Sequence, residues 1–159
     1  MTRILLAAVI AASLAATSLG GAAWAAERDS YYYPPVNSEE VFARQLAAVP
    51  LADRTVRVGF VTQITKAQLA APESPRFVIF AKGDEAQHMI IIALDDEVFK
   101  TIYRARAVLA QLTSNVRGAD LFVNNIQDQA TWFDLAKMLG FEDMVISDGA
   151  TWSHRVIFE

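Results

Sequence analysis

The 159-residue chain contains no cysteine. No disulfide can staple it, no thiolate can act as nucleophile or zinc ligand, and no lipid can be attached at a cysteine beside a cleavage site. Histidine is scarce as well. His88 and His154 lie far apart in sequence with no obvious third ligand, so the sequence implies no metal site and no cofactor. Basic residues are outnumbered, 14 Lys and Arg against 18 Asp and Glu, for a formal net charge of −4. The cations are dispersed, which argues against nucleic acid and anionic membrane surfaces as partners, because neutralising phosphates takes clustered Lys and Arg. No phosphate-cradling glycine loop and no Gly-x-Ser-x-Gly occurs; Ser30, Ser38, Ser74, Ser114, Ser147 and Ser153 all lack the strained-elbow context of that motif. Internal repeats and low-complexity tracts are also missing.

What is present begins with the parts of an export signal in order. Arg3 supplies a positive start, Ile4 to Leu19 is an uncharged apolar run, and Gly20-Gly21 break it before the small residues Ala22, Ala23 and Ala25. Cleavage after Ala25 puts Ala23 and Ala25 at the two small-residue positions, whereas cutting after Ala26 would force Trp24 into a pocket made for small side chains. A membrane anchor is the competing reading, but the run is Ala-rich, shorter than the ~20 residues of a span, and followed by no basic stop-transfer patch. The expectation is a periplasmic protein with residues 1–25 removed. Loss of Arg3 with no acid takes the net charge to −5 on the 134 residues that remain. A domain of that length without disulfides must be stabilised by burial alone.

Residues 26–37, with Tyr31-Tyr32-Tyr33-Pro34-Pro35, read as an extended arm. Three adjacent tyrosines cannot all face one way, so at least one packs on the domain or meets a partner. Residues 38–159 read as a single domain. Ser38-Glu39-Glu40 resembles a helix start, limited to three turns by Pro50. From Thr55, Val56, Val58, Phe60, Thr62 and Ile64 alternate with Arg57, Gly59, Val61 and Gln63, which predicts a strand. Arg76 to Lys82 and His88 to Leu94, joined by a Gly83-containing loop, predict a hairpin apolar on both faces and therefore central in a covered sheet. Asp95-Asp96-Glu97 then opens the longest helix, to about Leu112, with an apolar stripe of Val98, Ile102, Ala105, Leu109 and Leu112. Asp128 caps a second helix carrying Trp132, Phe133, Leu135, Ala136 and Leu139, ended by Gly140 with Phe141 folding back near Ala136. Met144 to Ile146 and Trp152 to Phe158 flank the Asp148-Gly149 turn. The sum is an α+β fold: an antiparallel or mixed sheet of about five strands with two to three helices packed on it.

Chemistry-bearing residues concentrate in Ser147 to Arg155, where a hairpin gathers a carboxylate, hydroxyls, an imidazole and a guanidinium. Asp148, Thr151, His154 and Arg155 are the candidate ligand- or partner-binding residues, and no catalytic residue is assigned. Each also has a structural explanation: Asp148 and Thr151 in a turn, His154 on the strand face shared by Trp152, Val156 and Phe158. Tyr103 and Arg106 share a helix edge with Phe99, and Asn124, Asn125 and Gln127 form an amide-rich loop. A protein partner or homodimer contact falls to a sheet face or to the Tyr31–Tyr33 arm.

Several stretches carry a resemblance across essentially all of residues 26–159. They are the Tyr-Tyr-Tyr-Pro segment, Arg57-Val58-Gly59-Phe60 before Thr65-Lys66-Ala67-Gln68-Leu69, Phe80-Ala81-Lys82-Gly83, Trp132 to Met138, and Ser147-Asp148-Gly149 to His154-Arg155. Together they resemble a family of small exported bacterial proteins of unknown function, sometimes labelled molybdopterin-guanine dinucleotide biosynthesis protein A. The resemblance implies export and one domain. The nucleotidyltransferase of that label holds GTP phosphates on a Leu-Ala-Gly-Gly-x-x-x-Arg-Met-Gly loop; here the only Gly-Gly is Gly20-Gly21, inside the export segment and followed by Ala22-Ala23-Trp24. Two function classes stand: a non-catalytic interaction or small-ligand-binding module, and a small enzyme using Asp148, His154 and Arg155. A role related to molybdopterin-guanine dinucleotide biosynthesis is a third.

Overall fold

The computed structural model describes residues 32–46, 52–95, 98–117 and 131–159. The N-terminal stretch read as an export signal, Tyr31, Pro50, Asp96, Glu97, the Asn124 to Gln127 stretch and Asp128 lie outside them. Chain order is β1 (Ser38–Phe42), α1 (Arg54–Ala70), β2 (Phe77–Lys82), β3 (His88–Ala93), α2 (Ile102–Val116), α3 (Trp132–Met138), β4 (Asp143–Ser147) and β5 (Ser153–Phe158). The five strands form one mixed sheet in the order β1-β5-β4-β3-β2, with three helices, as the α+β reading expects. The two hairpins are antiparallel, while β1–β5 and β3–β4 run parallel.

Two expectations from the first half of the chain are corrected. Ser38-Glu39-Glu40 starts no helix; it is β1, paired in register with His154 to Phe158. The segment from Thr55 is not a strand but α1, the longest described helix at 17 residues, with the Asp53 carboxylate accepting from the Val56 amide at 2.9 Å as its cap. The period-two pattern there coincides with a helical face. Arg57 and Val61 are buried, and Val56, Phe60 and Ile64 pack beside them at helical spacing. Val58, a member of the supposed strand face, is 36% exposed.

Later segments match expectation more closely. The β2–β3 hairpin forms, but only β3 is interior; β2 is an edge strand, flanked by α1. α2 starts at Ile102 on the cap Thr101 rather than at Asp95, yet the stripe of Val98, Ala105, Leu109 and Leu112 is buried as expected. Thr131, not Asp128, caps α3 through a capping box with Asp134. Gly140 ends α3 at φ +76, and the Phe141 amide reaches back to the Ala136 carbonyl at 3.1 Å, closing the left-handed cap.

The sheet is covered on both sides. Met89, Ile91, Met144, Ile146 and Val156 face the helices and meet Val61, Ala105, Leu112 and Leu135. On the other face Ile90 and Val145 lie under Tyr33, with Tyr32, Val36, Phe80 and Ile92 around them. The described part of the arm, residues 32–37, therefore packs on its own domain. It is tied there by Ser153 Oγ, which donates to the Pro34 and Pro35 carbonyls at 3.0 Å, and by the Ser153 amide donating to Asn37 Oδ1 at 2.8 Å.

Candidate functional site

The β4–β5 hairpin brings Asp148 and Thr151 together in its turn but sends His154 and Arg155 to opposite faces of the sheet. Asp148 folds the loop onto itself. Its Oδ1 accepts from the amides of Ala150, Thr151 and Trp152 at 2.8–2.9 Å, and its Oδ2 from the Thr151 hydroxyl at 2.7 Å. Burial pushes this carboxyl's pKa up, but the hydrogen bonds outweigh it and hold the group at about 2. Asp148 and Thr151 thus spend their polar atoms on each other and on the loop backbone.

His154 and Arg155 are adjacent in β5 and so project from opposite faces of the sheet. Arg155 lies on the arm side, its Nη1 3.8 Å from Glu39 Oε2. His154 lies on the helix side with its side chain 8% exposed, stacked on Trp152 at an interplanar angle of 8°. Its neighbours come from β1, because the parallel register sets Ser38 beside it and Glu40 one step along the same face. His154 Nδ1 is 2.8 Å from Ser38 Oγ, and Nε2 is 3.4 Å from Glu40 Oε1. Glu40 Oε2 in turn stands 3.7 Å from Arg106 of α2. The direction of the Ser38–Nδ1 hydrogen bond follows the tautomer of the ring, while Nε2, buried and facing Glu40, makes no hydrogen bond among the described residues. The row hydroxyl, imidazole, carboxylate, guanidinium runs from the edge of the sheet to α2.

At Glu40 this row meets a cavity of about 590 Å³ between β1, α2 and α3. Phe42, Leu109, Ala110 and Phe133 give it apolar walls, and Arg106 and Arg117 add cationic ones. A second, more apolar groove of about 510 Å³ lies between α1, β2 and α2, walled by Phe60, Ile64, Phe77 and Val108. Both fall within the ~300–1,000 Å³ of small-molecule sites.

Comparison with protein-family models, characterised proteins and solved structures finds no match to this chain. Geometry alone therefore carries the functional argument. Among the described residues, no group of three His, Asp or Glu side chains could hold a metal ion, and no helix is long and apolar enough to cross a membrane. His88 pairs with Asp143 at 2.9 Å across β3 and β4, at the end of β4 that pairs with Ile157 rather than with His154. Of the helix-edge trio, Phe99 is buried, Tyr103 is 80% exposed, and Arg106 reaches Glu40. Sequence reasoning missed Ser38, Glu40 and Arg117. The first two reach His154 through strand pairing, Ser38 across 116 residues of chain, and no local pattern signals that.

Proposed function

We propose that this protein is exported to the periplasm, loses residues 1–25 there, and works as a small-ligand-binding module without chemistry of its own. The charged start, apolar run and small-residue cleavage site support export. The observation that supports binding is the cavity between β1, α2 and α3, which joins apolar walls to a few charged groups in the way ligand sites do. The locked Asp148 turn and the opposed directions of His154 and Arg155 weigh against catalysis by the hairpin. Binding is tested with 1-anilinonaphthalene-8-sulfonate, a small amphipathic dye. Its fluorescence rises with the native protein and falls back in Ala110→Trp, which fills the cavity from an exposed helix position; an unaffected Ala110→Trp refutes the site. N-terminal sequencing of the protein recovered from the periplasm is expected to begin at Ala26.

A second reading, a small hydrolytic enzyme, draws support from one distance: Ser38 Oγ stands 2.8 Å from an imidazole whose other nitrogen faces a carboxylate. In that reading Ser38 and Glu40 take the places given to Asp148 and Arg155. A fluorophosphonate probe would then attach to Ser38 and not to a Ser38→Ala variant, and failure to label ends the enzyme reading.

A further inference from the structure

The charges around the β1/α2/α3 cavity do not balance, and the imbalance specifies a ligand. Three charged side chains line it: Glu40, Arg106 and Arg117. Glu40 and Arg106 answer one another at 3.7 Å, and the remaining oxygen of Glu40 faces His154 Nε2. Arg117, the residue that caps the C-terminus of α2, has no carboxylate within 4 Å among the described residues. Among the described residues the walls therefore hold one uncompensated positive charge beside an apolar surface made by Phe42, Leu109, Ala110 and Phe133. An unneutralised cation beside apolar walls is complementary to one negative charge carried on an apolar body.

We infer that the cavity takes an amphipathic monocarboxylate, its chain against Phe42, Leu109 and Phe133 and its head on the Arg117 guanidinium. This rests on the binding reading above and names its ligand class. A guanidinium presents a planar pair of N–H donors that matches the two oxygens of a carboxylate, and Ser114 adds a hydroxyl to the same wall. A diphosphate or a dicarboxylate does not fit, because its second charge would have to take Arg106 from Glu40 and leave that carboxylate facing the ligand. A cationic amphiphile would meet Arg117 directly and is excluded by like-charge repulsion.

The experiment uses the purified protein as recovered from cells and three probes of equal chain length: decanoate, decanol and decyltrimethylammonium. Trp132 lines the cavity, so binding is read from tryptophan fluorescence and confirmed by calorimetry. Decanoate is expected to bind saturably and more tightly than the other two. Arg117→Gln is expected to weaken decanoate by about tenfold or more, the loss of one charge-assisted contact, with partial recovery in Arg117→Lys and no change for decanol. Decanol binding as tightly as decanoate, with Arg117→Gln silent, overturns the carboxylate assignment while the binding site survives. If none of the three binds, or if Ala110→Trp leaves decanoate binding intact, the site and its ligand class fall together.

Discussion

Single side chains near the hairpin do different physical work, and their variants separate accordingly. Asp148 has a pKa lowered to about 2 from an ordinary 3.8, so it favours the folded state fully above pH 4 and loses that contribution as pH falls toward 2. Solvent screening keeps the effect modest. Asp148→Ala is expected to cost about 1 kcal/mol, the size of losing a capping side chain. Asp148→Asn keeps an acceptor for the three amides, so it is expected to retain most of the stability at pH 7 while flattening the acid limb of a melting-temperature profile. An acid limb identical to that of the native protein would show that the charge of Asp148 plays no part. His154 is buried between Trp152 and β1, and its replacement by Ala leaves Glu40 without its imidazole and opens a void. Thermal melts are expected to show a loss of about 1–3 kcal/mol. Arg155→Ala removes the long contact to Glu39 and is expected to stay within about 1 kcal/mol.

Elements are joined by a buried arginine that sequence reading had placed on a strand. Arg57, 6% exposed on α1, donates Nε to the Glu85 carbonyl at 2.9 Å and Nη1 to the Ala52 carbonyl at 2.8 Å, with longer contacts to the Leu139 and Gly140 carbonyls. One guanidinium thereby ties the start of α1, the β2–β3 loop and the end of α3. Arg57→Met preserves much of the apolar stem but strands those carbonyls, and denaturant melts are expected to show a loss of about 3 kcal/mol or more. Gly140→Ala is damaging for a related reason. Its Cβ would stand 2.8 Å from Arg57 Nη1, at a backbone φ of +76 that costs a non-glycine residue about 1–2 kcal/mol. The same helix shows where legibility ended. Both hairpins, the Gly140 cap and the α2 stripe were readable because each is written within one continuous stretch of chain, in alternation, turn chemistry or helical spacing. In α1 the β-branched Val56, Val58, Thr62 and Ile64 satisfied a strand pattern as well as a helical one, and burial of Arg57 against distant carbonyls decided between them. β1 failed for the complementary reason: its conformation comes from pairing with β5, more than a hundred residues away. The row from Ser38 to Arg106 inherits that illegibility, since three elements must assemble before it exists.

At the scale of the whole molecule, the sheet needs both of its covers. The helix-side face is the larger core. Ile91 of β3 is fully buried there, so Ile91→Asp is expected to unfold the protein, because a buried unpaired carboxylate costs several kcal/mol out of a typical ~5–15. The opposite face has a thinner cover, and its variants are more telling. Tyr33 is 5% exposed over Ile90 and Val145, Tyr32 packs on Phe80 at a centroid distance of 5.3 Å, and Lys82 lies 4.1 Å from the Tyr32 ring. From there the arm reaches β5 through Pro34 and Pro35 and becomes β1, so it crosses the sheet from one edge to the other before joining it. Because the arm and β1 are one continuous segment, loosening Tyr33 also loosens the strand that presents Ser38 and Glu40 to His154. Tyr33→Ala is therefore expected to cost about 3 kcal/mol, the lower end for removing a buried aromatic ring, and to weaken binding at the β1 cavity as well. Tyr33→Phe keeps the ring and is expected to lose no more than about 1 kcal/mol. Uncovering Ile90, Val145 and Phe80 also leaves an apolar patch in search of a second copy, so the melting temperature of Tyr33→Ala is expected to rise with protein concentration while that of the native chain does not. A Tyr33→Ala protein as stable as the native one, with unchanged ligand binding, would mean that the sheet holds its outer face and β1 without the arm.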